Sequence, residues 1–123
     1  MKALVVDDSR AIRMIIARQL ISLGFSTVQA ADGEEALAAV TASGPFDVAL
    51  VDWNMPVMNG LDFVRAIRSD RAHDEMAIMM VTTESEQSQV LAAIAAGASE
   101  YLMKPFSPES IEEKLAILGI LTP

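Results

Sequence analysis

The 123-residue chain contains no cysteine. That removes disulfides, thiolate catalysis and cysteine-based zinc sites together, and it suits a reducing compartment. Positive charge is scarce: Lys and Arg number 9 against 17 Asp and Glu, a formal net charge of −8. Without a basic stripe to displace counterions from phosphates, the balance argues against nucleic-acid binding, though not against a bound cation. Long apolar runs are missing too. The amino terminus offers only Ala3-Leu4-Val5-Val6 before Asp7, too little for a signal-peptide core or a membrane span. Repeats, linkers and low-complexity tracts are absent as well. A cytoplasmic protein with one domain over residues 1–123 is expected, too short to hold a catalytic domain plus a separate output domain. At 52% hydrophobic residues the core is well supplied, so disorder is not expected.

What the chain does contain is an alternation of short apolar runs with helical periodicity. The most telling stretch is Asp47-Val48-Ala49-Leu50-Val51-Asp52-Trp53-Asn54-Met55-Pro56. Its apolar run lacks polar alternation, which suits a strand buried on both faces, and it stops at Asp52 before a loop punctuated by Pro56. Residues 3–6 read as a similar strand ending in Asp7-Asp8-Ser9. Ile12, Ile15, Ile16, Leu20 and Leu23 then recur at helical spacing until Gly24. Residues 26–30 form a second strand, and Asp32 with Glu35 predicts a capping box for a helix carrying Ala36, Leu37 and Val40, ended by Gly44-Pro45. Beyond Asn59-Gly60, Phe63, Val64 and Ile67 make one helical face. Residues 69–75 are a polar connection. Residues 77–81 are apolar again and end in Thr82-Thr83-Glu84, after which Val90, Leu91 and Ile94 line a helix before Gly97. Tyr101-Leu102-Met103 closes on Lys104-Pro105. Ser107-Pro108 opens a last helix whose Ile111, Leu115 and Leu118 face inward.

Five strand-helix units in so short a chain predict an α/β fold, a doubly wound open parallel sheet with helices on both faces. Ligands bind such sheets at the carboxyl ends of their strands. There the pattern gathers Asp7, Asp8, residues 52–54, Thr82, Thr83 and Lys104. Taken singly, each has an ordinary explanation: Asp52 as a turn former, Lys104 as a solvated lysine, Asp7-Asp8 as acids at a helix start. Their joint occurrence at successive strand ends points to chemistry. Three clustered carboxylates raise one another's pKa or demand a counter-cation. Mg²⁺ is the natural choice, since it prefers carboxylate and water oxygens and shares them with phosphoryl groups. Lys104 and Thr82 would serve the remaining phosphoryl oxygens, and Asp52, lying between, becomes the nucleophile.

Asp7-Asp8, Asp52 with Met55-Pro56 and Gly60 behind it, Thr82, and Lys104-Pro105-Phe106 together resemble the signature of two-component response-regulator receiver domains, in order and over essentially the whole chain. Asp52-Trp53-Asn54-Met55-Pro56, Glu84 two after Thr82, and Tyr101 three before Lys104 are similar to the stand-alone chemotaxis members of that family. The resemblance implies a flavodoxin-like five-stranded sheet in the order 2-1-3-4-5. It implies that Asp52 is the phosphoacceptor, charged from a phosphohistidine on a sensor histidine kinase. Asp8, Asp52 and the backbone carbonyl of Asn54 would hold Mg²⁺, with Asp7 helping through water. Lys104 would pair with the acyl phosphate beside a cis bond to Pro105. Thr82 would move toward the phosphoryl group and draw Tyr101 from an outward to an inward position, while Asn54 and Glu84 tune dephosphorylation. The implied protein is a monomer that binds neither nucleic acid nor membrane and catalyses only its own phosphorylation and dephosphorylation. Its downstream target would dock on the fourth helix, last strand and last helix. This chain departs from the family at that face: Thr83 stands where a smaller residue is common, and residues 86–96 hold no Lys or Arg, which bears on partner choice.

Rival classes fit less well. A Mg²⁺-dependent phosphohydrolase forming an aspartyl phosphate needs a general acid two residues after the nucleophile, where Asn54 stands. A flavodoxin-type electron carrier needs a phosphate-cradling loop after the first strand, where Asp7-Asp8 would repel the flavin phosphate. A receiver-like scaffold that is never phosphorylated would be expected to lack Asp52 or Lys104. A receiver in a phosphorelay outside chemotaxis stays open. Among single residues, His73 reads as solvated, Met79, Met80 and Met103 as core filling, and Trp53 as a flank of the acidic pocket.

Overall fold

A computed structural model describes residues 1–83 and 88–121. Five strands, β1 (Lys2–Val6), β2 (Ser26–Ala30), β3 (Val48–Asp52), β4 (Ala77–Thr82) and β5 (Glu100–Met103), alternate with five helices, α1 (Arg10–Ser22), α2 (Gly33–Ser43), α3 (Gly60–Arg68), α4 (Val90–Ala96) and α5 (Pro108–Ile117). A 3-10 turn at Arg71–His73 lies within the polar connection. All pairings are parallel and the order is β2-β1-β3-β4-β5.

The period of two along a strand divides the interior into two layers. Ala3, Val5, Val48, Leu50, Met79 and Val81 face one way, against Ile16 and Leu20 of α1 and Ile111 and Leu115 of α5. Leu4, Val6, Ala49, Val51, Ile78 and Met80 face the other way, against α2, α3 and α4 through Ala36, Val40, Phe63, Val64, Ile67 and Ala93. The continuous apolar runs of β1, β3 and β4 are thereby explained, each side chain of large volume gaining about 1.5–3 kcal/mol on burial. The edge strand β2 is partly exposed and correspondingly more polar.

Side-chain caps fix where four helices begin. Ser9 accepts from the Ile12 N–H (3.3 Å), Asp32 from Glu35 (2.8 Å), Asn59 from Asp62 (2.9 Å) and Ser107 from Ser110 (3.1 Å). Each is worth about 1 kcal/mol, and each anchors a loop at the carboxyl edge of the sheet. At Asp32 the bond formed is the aspartate's half of the expected box. The reciprocal arrangement is seen at Ser107 and Ser110.

Two expected inward faces are corrected. On α4, Leu91 is 80% exposed and Ile94 42%, while the small Ala93 is fully buried. Leu91 sits about 160° around the helix from Ala93, so both cannot face the sheet, and a seven-residue helix held close to α3 takes the smaller side chain inward. On α1, Ile16 and Leu20 are buried but Ile15 is exposed.

Candidate functional site

The site lies at the carboxyl edge of β1, β3, β4 and β5. Asp7 follows β1 directly: its N–H donates to the Ala30 carbonyl (3.1 Å), and its Oδ1 accepts from the Ser9 N–H (2.8 Å), which ties the carboxylate to the start of α1. Asp52 is the last residue of β3, in register with Val81. The loop behind it returns closely, because the Gly60 N–H donates to the Trp53 carbonyl (3.0 Å). A Cβ at Gly60 would stand 2.5 Å from the Asp52 carbonyl oxygen and 2.8 Å from Met80 Cε, so α3 can start here only with glycine. The other end of the loop is latched by Gly33, whose N–H donates to the Met58 carbonyl (3.2 Å). Between these anchors Val57 is held at φ +68°, a left-handed conformation uncommon for a β-branched residue.

Lys104 follows β5, and its N–H donates to the Thr82 carbonyl (2.7 Å). Its Nζ donates to Asp52 Oδ1 at 3.2 Å and lies 3.5 Å from Asp7 Oδ2. The Lys104–Pro105 bond is cis, as the resemblance implied. Thr82, the last residue of β4, is buried, and its hydroxyl donates to the Thr83 carbonyl (3.3 Å). Asp8 is exposed, yet it offers a carboxylate oxygen to a group in which ligand atoms of Asp7, Asp8 and Asp52 all lie within 4.8 Å of one another.

Electrostatics follow from that crowding. Burial, and next the Asp7 charge, push the Asp52 carboxyl up to about 6 against the pull of Lys104. Asp7 is also raised, mainly by burial. Burial works against the Lys104 ammonium, but Asp52 and then Asp7 outweigh it and raise its pKa. One ammonium thus faces three carboxylates. Asp7 Oδ2 is buried without a hydrogen-bond partner, Lys104 lying at the limit of one. A hard cation is what such oxygens lack, so the donor set fits a divalent ion of the Mg²⁺ class.

Of the remaining expected site residues, Asn54 is exposed in the loop, and Glu84 lies outside the described residues. Tyr101 is half-buried on β5, two strand positions behind Thr82 by register, with Lys114 Nζ 4.5 Å above its ring. His73 is half-buried, with Nε2 3.6 Å from Asp70 Oδ2, and so is less solvated than its polar context suggested. Sequence reasoning passed over Arg13, whose Nη1 donates to the Asp7 carbonyl (2.6 Å). The available signal was its place one helical turn before the buried Ala17, a stripe where a charge needs a partner.

An acidic cluster with a lysine across it, at the carboxyl edge of a 2-1-3-4-5 sheet, is the arrangement of a phosphoacceptor domain. Residues 3–116 match the family described as the response regulator receiver domain, and the chain belongs to that family. It is similar to the chemotaxis protein CheY1 of Helicobacter pylori, 44% identical over 119 residues, 96% of each chain. It is also similar to the chemotaxis protein CheY of Pseudomonas aeruginosa, 42% identical over 116 residues, 94% of this chain and 93% of that one. The solved structure of the chemotaxis response regulator CheY4 of Vibrio cholerae has a TM-score of 0.88 at 40% identity, covering 95% of this chain and 97% of that one.

Proposed function

We propose that this protein is a phosphoacceptor switch that takes a phosphoryl group from a sensor histidine kinase onto Asp52 and thereby changes its binding to a downstream protein, in the control of chemotaxis or motility. The observation that carries this reading is the buried Asp52 carboxylate, paired with Lys104 at 3.2 Å inside an acidic cluster short of positive charge. In the reaction an ionised Asp52 oxygen attacks phosphorus, the bond from phosphorus to the histidine nitrogen breaks, and the imidazole leaves with the electron pair. Lys104 favours the ionised nucleophile and can shift from Asp52 to a phosphoryl oxygen. A Mg²⁺ held by Asp8, Asp52 and the Asn54 backbone carbonyl, with Asp7 acting through water, would neutralise charge on the phosphoryl oxygens.

Thr82 and Tyr101 carry the signal in this reading. The Thr82 hydroxyl, now on the Thr83 carbonyl, turns to the phosphoryl group, and the half-buried Tyr101 ring moves into the space behind it. The surface of α4, β5 and α5, with Leu91, Ile94 and Ile117 exposed, then presents a different face to the target. Water later removes the phosphoryl group, at a rate tuned by Asn54 and Glu84. Similarity to CheY proteins along nearly their whole lengths supports chemotaxis over another phosphorelay, a cytoplasmic setting, and residues 1–123 acting as one unit through a partner. No helix among the described residues is long and apolar enough to cross a membrane. Incubation with Mg²⁺ and acetyl phosphate, followed by intact mass measurement, tests the reading. One added phosphoryl group in wild type and none in Asp52→Ala is the expected result; an unmodified wild type sinks it.

A further inference from the structure

We infer that Arg13 is a positioning residue for the cation site, acting through the peptide that joins Asp7 to Asp8; this rests on the reading of the acidic cluster given above. Asp8 is exposed, and among the described residues no hydrogen bond holds its carboxylate. Its approach to Asp7 and Asp52, within the 4.8 Å of the cluster, is therefore set by its backbone. That backbone is fixed on both sides of Asp7. Upstream, the Asp7 N–H is bound to Ala30 on β2, and downstream the Asp7 carbonyl accepts from Arg13 Nη1 at 2.6 Å.

Arg13 is itself held. Its backbone N–H donates to the Ser9 carbonyl within the first turn of α1, it is half-buried, and its Nε lies 3.4 Å from Gln29 Oε1 on β2. A planar fork braced by a helix and an edge strand fixes the Asp7 carbonyl, and with it the rotation of the Asp7–Asp8 peptide. If that peptide turned, the Asp8 carboxylate would swing out to solvent. Asp7 would stay in place, being pinned by Ser9. Among the described residues no ion pair joins Arg13 to the three acids, so it reaches them through the Asp7 backbone. Loss of its positive charge alone would strengthen cation binding, the opposite of the effect inferred.

The test is Mg²⁺ binding by calorimetry, with Trp53 emission as a second readout, on wild type, Arg13→Met and Arg13→Lys. Melting without metal is measured alongside. Methionine keeps the apolar stem but loses every donor. Outer-shell partners of metal ligands are commonly worth about 10-fold in affinity or more. Arg13→Met should bind Mg²⁺ about 10-fold more weakly with a metal-free melting curve close to wild type, and Arg13→Lys, which restores one donor, should recover most of the loss. Wild-type affinity in Arg13→Met overturns the inference. So does an Arg13→Met chain that no longer folds without metal, since Arg13 would then serve the fold alone. Failure of wild type itself to bind Mg²⁺ overturns the site reading, a distinguishable result.

Discussion

Asp52→Asn should make the metal-free protein more stable at neutral pH while abolishing phosphorylation. In the unfolded chain the carboxyl titrates near 3.8, whereas in the folded protein it is pushed up to about 6. The native state therefore binds the proton more tightly than the unfolded state, so stability falls as pH rises. The contribution is fully present below 3.8 and is lost by about pH 7. At 1.36 kcal/mol per pH unit the interval amounts to about 3 kcal/mol, a large part of a domain's usual 5–15. Asparagine cannot ionise and keeps an oxygen for Lys104, with a weaker bond than the carboxylate gives. The net gain at pH 7.5 should thus be about 1–3 kcal/mol. The assay is urea unfolding from pH 4 to 8 in a chelator, wild type against variant. Wild type should lose stability across that range more steeply than Asp52→Asn, and saturating Mg²⁺ should restore it in wild type alone. Parallel pH profiles for the two proteins would refute the electrostatic account of the site.

Asp8→Ala should lose most of the Mg²⁺-dependent rise in melting temperature, which for wild type at 100 Kd corresponds to about 2.7 kcal/mol; an equal rise in both proteins would remove Asp8 from the site. Val57→Asn should stabilise by about 1 kcal/mol in chemical denaturation, since Val57 is strained at φ +68° and 77% exposed, so little burial is lost. Gly60→Ala gains about 1 kcal/mol of helix propensity but places a Cβ 2.5 Å from the Asp52 carbonyl oxygen, so a net loss of about 2–4 kcal/mol and a falling rate of phosphorylation are expected; a stabilised variant would show the loop can give way. Thr82→Ala should still bind beryllium fluoride with Mg²⁺, while amide shifts over α4, β5 and α5 shrink; shifts as large as in wild type would end the Thr82–Tyr101 relay.

The parts of this molecule legible in its sequence are those that residue type and spacing alone decide. β1, β3 and β4 announce themselves by unbroken apolar runs because both faces are covered, and Asp7, Asp8, Asp52 and Lys104 are conspicuous because each interrupts or follows such a run. The strand order came from resemblance, since nothing local distinguishes which parallel neighbour a strand chooses. Leu91 is not legible as an outward residue because a two-turn helix offers too few positions for its apolar stripe to be phased, and an alanine takes the inward place. Arg68 shows the limit most clearly. Its guanidinium donates to the carbonyls of Gly97 (3.0 Å), His73 (2.8 Å) and Met76 (2.7 Å), fastening the carboxyl end of α4 to α3 and to the start of β4. Backbone carbonyls have no residue type, so the partners of this clamp leave no mark in the sequence, and at Arg13 only the charge on a buried helical stripe hints at one.

The Arg13 clamp, with the ties at Gly33 and Gly60, also explains how a strained site persists on a stable scaffold. Both cores close around β1, β3 and β4, and the unsatisfied features gather at the carboxyl edge: a buried oxygen of Asp7 without a hydrogen bond, an Asp52 reluctant to ionise, and Val57 held left-handed. Each costs on the order of 1–3 kcal/mol and would relax if the backbone could yield. It cannot, because Gly33, Gly60 and Arg13 tie the loops to three different helices. In the proposed reading a cation or a phosphoryl group would supply the partner that the acidic cluster lacks, and would bind with the energy of relieving its repulsion. The two-state element in that reading lies at α4 and β5, where the exposed Leu91 and half-buried Tyr101 would have little to lose by moving.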